Sequence, residues 1–177
     1  DNYHQQNYQL IWNQIFNPNL DLNVALHYTK GQGYYEEYKV NKDLQEYGLS
    51  DVEFKTDLVR QKKMDNDFYG AIASINYHDN ESFKATLGGG WNKYDGDHFG
   101  LVNWVKEPQK EMYPGFEYYR NTAWKTDFNV YGKAEWEFVK GLSAFLDLQY
   151  RHVGYRMEDP ADWYIGGEAN GLWAHDD

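Results

Sequence analysis

The tetrad Asp95-Gly96-Asp97-His98 is the most metal-like cluster in the sequence. Carboxylates on a Gly-containing segment offer the oxygen donors that hold Ca²⁺, and His98 offers a donor for a transition metal. The spacing does not follow a calcium-loop motif, however, and Asp and Gly are also the default residues of a turn. The expectation is a turn without a metal. Tyr34-Tyr35-Glu36-Glu37-Tyr38 could stack on a ligand and hydrogen-bond to it; interfacial anchoring with loop packing is the alternative. Lys133, Glu135 and Glu137 share one face and include two carboxylates, the raw material of acid–base catalysis. Their phase puts them near a tight turn, where a structural role is expected. His27 reads as a hydrogen-bonded histidine on a polar face rather than a catalytic one. Gly88-Gly89-Gly90 lacks the strand–loop–helix context and the following Lys-Ser/Thr of a phosphate cradle, so it reads as strand glycine that admits close approach. There are no cysteines, which excludes disulfides and thiolate metal sites. Nothing here calls for a cofactor or an enzyme.

The elements that would position these residues show in the alternation of side chains. Leu20, Leu22, Val24, Leu26 and Tyr28 oppose Asp21, Asn23, Ala25, His27 and Thr29, and period-2 alternation puts each set on its own face of a sheet. Five further segments behave alike: Tyr8–Phe16, Tyr69–Tyr77, Phe83–Asn92, Trp124–Phe138 and Leu142–Tyr150, with Tyr69–Tyr77 the weakest in phase. The charged residues within them (Asp21, Lys84, Lys125, Asp127, Lys133, Glu135, Glu137 and Asp147) all fall on the polar parity. Aromatic residues gather at the segment ends, among them Phe16, Tyr28, Tyr77, Phe83, Trp91, Phe138 and Tyr150. The links run short, long, short, long, short. Asn17-Pro18-Asn19, the residues from His78 to Ser82, and Val139-Lys140-Gly141 are the short ones. The long ones extend from about Lys30 to Asp67 and from about Asp95 to Ala123. Tight turns at one end and long loops at the other predict an all-β, antiparallel, up-and-down transmembrane β-barrel.

Composition bounds the reading. The mean hydropathy of −0.90 and the lack of a long apolar run argue against membrane helices, but a barrel meets lipid with only alternate strand residues. Aromatic residues make up 19% of the chain, enough for girdles at a membrane interface or for sugar platforms. The net charge of −11 disfavours nucleic acid, whose phosphates demand a basic surface. Lipid-spanning barrels start at roughly eight strands, so six segments predict a piece of a larger barrel. The first residues are not a signal peptide, and the chain is expected to continue upstream. Residues from Glu158 onward read as the start of another long loop.

Four stretches carry a family resemblance. They are Leu26-His27-Tyr28-Thr29-Lys30-Gly31-Gln32-Gly33-Tyr34-Tyr35-Glu36 with Tyr47-Gly48-Leu49; Asp65-Asn66-Asp67-Phe68-Tyr69-Gly70; Gly88-Gly89-Gly90-Trp91-Asn92-Lys93-Tyr94-Asp95-Gly96-Asp97-His98-Phe99-Gly100; and Lys125-Thr126-Asp127-Phe128-Asn129-Val130-Tyr131-Gly132-Lys133. Together they resemble the barrel of TonB-dependent outer-membrane receptors, the active transporters of Gram-negative bacteria. The resemblance implies that residues 1–177 belong to one barrel domain of about 22 strands, with the plug domain and remaining strands outside this chain. It implies capture of a ligand by extracellular loops and import through the barrel with TonB energy. Tyr34, Tyr35, Glu36, Tyr94, Asp95, Asp97 and His98 are then the loop candidates for ligand contact. The implied partners are outer-membrane lipid, the plug of the same receptor, the TonB complex through absent segments, a surface lipoprotein, and a small-molecule or glycan ligand. The competing reading is a secreted, soluble glycan-binding β-sandwich whose aromatics form a core and sugar platforms. An outer-membrane enzyme is the third; it needs a His converging with Asp or Ser at one rim, and no register brings such a set together.

Overall fold

The computed structural model describes residues 1–158. Six strands follow one another, β1 (Asn2–Asn17), β2 (Leu20–Asp43), β3 (Lys55–His78), β4 (Phe83–Val105), β5 (Phe116–Val139) and β6 (Leu142–Glu158). They pair antiparallel in chain order as one open sheet, with β1 and β6 at its edges among the described residues. All-β, up-and-down connectivity therefore holds. The expected loop beyond Glu158 lies outside the described residues.

The three short links are tight turns at one end of the sheet. Asn17 Oδ1 accepts from Asn19 N at 2.8 Å, and the Asn19 amide reaches across to the His78 carbonyl at 2.6 Å. Between β3 and β4, Asp79 Oδ1 accepts from the backbone N–H groups of Glu81, Ser82 and Phe83 at 2.8–2.9 Å. Gly141 turns β5 into β6 at φ 81°, a left-handed conformation that glycine adopts without a Cβ penalty.

The register sorts the side chains into two faces. Leu22, Ile75, Leu87, Gly132 and Leu148 form one row from β2 to β6, and Val24, Ala73, Gly89, Val130 and Tyr150 the next on that face. Leu26, Ala71, Trp91 and Phe128 form the third, with His152 at its edge. Leu10 and Trp12 extend these rows onto β1. The rows between them present Asp21, Asn76, Thr86, Lys133 and Asp147, then Asn23, Ser74, Gly88, Tyr131 and Gln149, on the second face. The first face is uncovered: Leu10 is 64% exposed, Leu87 58% and Leu148 63%. A sandwich needs a second sheet over that face, and the described residues form only one.

The long loops are much shorter than the sequence suggests. β2 and β3 remain paired up to Asp43 and Lys55, and β4 and β5 up to Val102 and Phe116, leaving connections of residues 44–54 and 106–115. Beyond Tyr28 the apolar/polar alternation ends but the backbone ladder does not. Polar cross-strand partners replace apolar ones on the first face: Lys30 opposite Asp67, and Gln32 opposite Asp65. Hydropathy alternation marks a half-buried strand, so a strand polar on both faces carries no such mark.

The buried core sits at the loop end, on the second face. Residues 44–54 fold back through a short 3₁₀ turn, Leu44–Tyr47, in which the Asp43 side chain accepts from the Gln45 N–H and also from the Phe54 N–H. Leu44, Tyr47, Leu49, Leu58, Val102 and Val105 pack there, with Phe54, Met112, Phe116 and Tyr118 against them.

Candidate functional site

Alternation on a strand separates the sequence candidates. Tyr34, Tyr35 and Glu36 lie on β2, and Tyr94, Asp95, Asp97 and His98 on β4. None of them is on a loop. Their register puts Tyr34, Glu36, Asp95 and Asp97 on the first face, and Tyr35, Tyr94 and His98 on the second. Asp95-Gly96-Asp97-His98 is neither a turn nor a cluster, because His98 and the two aspartates point to opposite sides. Asp97 instead accepts from Arg120 Nη1 at 3.0 Å and from Thr122 Oγ1 at 2.7 Å. No group of three metal-ligating side chains occurs among the described residues.

Other candidates resolve into structural pairs. Glu36 accepts from Gln61 at 2.7 Å and from Asn103 at 3.2 Å. Glu37 is flanked by Lys39 at 2.7 Å and Arg60 at 2.5 Å; these cations hold its carboxyl below the usual range, Lys39 most strongly. His27 Nε2 meets Asn92 Oδ1 at 2.7 Å, and its ring packs on Phe68. Glu137 accepts from the Gly141 N–H at 2.6 Å, closing the last hairpin, while Lys133 lies 3.8 Å from Asp147. The Lys133, Glu135 and Glu137 face is thus part of a turn and an ion pair.

What the fold does bring together is a groove of about 570 Å³ above the apolar rows, lined by Tyr3, Tyr34, Tyr35, Lys62, Met64, His98 and Tyr119, among others. Three of the sequence candidates, Tyr34, Tyr35 and His98, meet there. Tyr3, Lys62 and Tyr119 come from three other strands, and of these only Tyr119 is among the aromatic residues that the sequence places in the long loops as ligand-clasping surface. The signal that could have found Tyr3 is the pair Gly31 and Gly33, over which its ring lies. Beside the groove, Tyr118 packs on Tyr47 and Tyr119 with ring centroids 4.7 and 4.9 Å apart. Burial pushes the Tyr118 phenol up.

Both faces carry charges of both signs at this end. Asp65, Asp67, Asp95 and Asp97 share the first face with Lys30, Lys63, Lys93 and Arg120; Lys30 bridges Asp65 at 2.5 Å and Asp67 at 2.9 Å. Arg60, Lys62 and Lys125 lie on the second face, where Glu37 is the nearest acidic counterpart of Arg60.

No family model, no curated protein and no solved structure matches this chain. The reading of the site rests on its geometry.

Proposed function

We propose that this chain is a wall segment of a TonB-dependent outer-membrane receptor, which captures a ligand at its outer mouth and imports it through a barrel of about 22 strands. One observation carries the membrane part of the reading. On a single face, apolar side chains dominate the rows from Leu20 to Tyr28, interrupted by Gln14 and His152 on the edge strands and by Lys93 and Thr126 in the top row, and the same face turns charged at Lys30, Asp67 and Asp95. Nine residues is what a tilted strand needs to cross hydrocarbon, about 9–11. Aromatic rings edge the band: Tyr8, Tyr28 and Tyr69 above, and Phe16, Tyr77, Phe83 and Trp136 below. A soluble sheet has no physical reason to change solvent within one or two rows across neighbouring strands, whereas a bilayer does.

With the first face toward lipid, the polar second face becomes the inner wall, available to a plug, and the groove at Tyr35, Lys62, His98 and Tyr119 opens at the outer mouth. The tight turns are then periplasmic. The family assignment rests on the four sequence stretches that resemble those receptors, and the ligand, plug and TonB complex follow from it. Fractionation of cells producing the full-length protein tests the reading. It should sediment with outer membranes, resist extraction by carbonate, and run with heat-modifiable mobility. Recovery in the soluble fraction without detergent would refute it.

A further inference from the structure

Above the band, the second face bears a set of aromatic rings arranged unlike those on the first. Thr29, Phe68, Tyr94, Lys125 and Tyr155 share one row, and six residues further along Tyr35, Lys62, Gly100 and Tyr119 share another. Tyr3 lies between them, opposite Gly33. The distance between these rows is about 20 Å at ~3.3 Å per residue. Glycines underlie three of the rings: a methyl added at Gly33, Gly96 or Gly100 would come within 3.0 Å of Tyr3, Tyr94 or Tyr119 respectively. Those rings therefore lie close against the wall, with Tyr118 sharing the space over Gly100 beside Tyr119.

The first face treats its rings differently. Above the band its own cations cover three of them: Lys63 stands 5.7 Å from the Tyr34 ring centre, Arg120 4.2 Å from Phe99, and Arg156 5.6 Å from Trp124, while the one such pair on the second face, Lys133 at 5.5 Å from Tyr131, lies within the height of the band. None of the six rings on the second face is covered in this way among the described residues. Two ammonium groups accompany them, Lys62 in the groove and Lys125 at the lower row. The nearby carboxylates are engaged elsewhere, Glu37 by Arg60 and Lys39 and Asp127 by Arg151, and neither lysine forms an ion pair among the described residues.

We propose that Tyr3, Tyr35, Phe68, Tyr94, Tyr119 and Tyr155 form a stacking track for an acidic oligosaccharide, with Lys62 and Lys125 meeting its carboxylates or sulfates. Sugar rings present flat C–H faces to aromatic rings and hydroxyls at their edges, and five of the six platforms are tyrosines with a hydroxyl at the rim. A linear ligand suits an extended track with a cation near each end. This inference rests on the reading of the second face as the inner wall, and it names the ligand class of that site.

The test is titration of the full-length protein, in detergent, with oligogalacturonate, alginate-derived and heparin-derived hexasaccharides, beside maltohexaose and de-acetylated chitohexaose as neutral and cationic probes. At least one acidic hexasaccharide should bind, and more weakly as salt rises. Tyr94→Ala or Tyr119→Ala should weaken it roughly three- to tenfold, and Tyr94→Phe should retain most of the affinity. The double variant Lys62→Gln/Lys125→Gln should lose both tenfold or more in affinity and the salt dependence, whereas Lys93→Gln on the first face should change neither. Heat-modifiable mobility checks that each variant is folded. Equal binding of maltohexaose, indifference to the lysine pair, or binding of none of the acidic probes overturns the proposal. A protein that sediments with outer membranes and binds none of them refutes this inference alone; one that is soluble without detergent refutes the membrane reading beneath it.

Discussion

Val130→Arg and Asn129→Arg place the same charge on adjacent residues of β5 and on opposite faces of the sheet. Val130 lies in the row of Val24, Ala73, Gly89 and Tyr150, the third of the five rows between Leu20 and Tyr28, and so at mid-height of the apolar band. An arginine at the bilayer midplane of a barrel costs about 2–4 kcal/mol, a factor of roughly thirty to several hundred in the folding equilibrium. Asn129 lies between Gly90 and Arg151 on the polar face. There the penalty is limited to like charges on facing strands, about 0.2–1 kcal/mol. Urea titration of the full-length protein refolded into detergent or lipid measures both. Leu22→Arg and Leu26→Arg should follow Val130→Arg at lower cost, since the penalty falls toward the interfaces. Equal destabilisation at 129 and 130, or a flat profile from Leu22 to Leu26, would refute the lipid-facing assignment.

Other outcomes follow from the turns and the loop-end core. Backbone N–H groups of Phe83, Glu81 and Ser82 hold the Asp79 carboxyl below the usual carboxylate range, so its contribution is complete above the unfolded pKa and lost as pH falls through the folded value. Amide exchange at Ser82 and Phe83 should therefore accelerate only in acid, and Asp79→Asn should remove that pH dependence. Leu58 is fully buried, and Leu58→Ala should cost about 2–5 kcal/mol, seen as faster proteolysis within residues 44–54 with the membrane rows still protected. Gly141 stands at φ 81°, and Gly141→Ala should destabilise the last hairpin by about 1 kcal/mol in the same urea assay, with no change in ligand binding.

Strand order, tight turns and the division into faces were legible in the sequence because each has a local signal: Asn-Pro-Asn and Lys-Gly for turns, period-2 alternation for faces. Even the weakly phased segment Tyr69–Tyr77 falls into register, with Ala71, Ala73 and Ile75 beside Leu26, Val24 and Leu22. The upper halves of β2 to β5 were not legible. Lys30, Gln32, Asp65 and Asp67 satisfy one another across strands, a two-body property that no single stretch of sequence displays. The groove was half legible for the same reason. Tyr34, Tyr35, His98 and Tyr119 were legible by type, but Tyr3 and Lys62 join them only through register.

The reach of the strands beyond the band limits how this mouth can vary. β2 continues fifteen residues past Tyr28, to Asp43, in continuous pairing with β3 apart from one irregularity at Lys39–Lys42. Within such a ladder a single residue inserted into or deleted from β2 would turn the later side chains of that strand to the other face, sending Tyr35 outward and Glu36 inward. Changes of length are accommodated at residues 44–54 and 106–115, at the tips, and at the register irregularities Lys39–Lys42, Val59–Arg60 and Gly100–Leu101 just below them. The continuously paired wall below these points diversifies by substitution, and it meets a ligand already ordered, with little conformational freedom left to lose on contact.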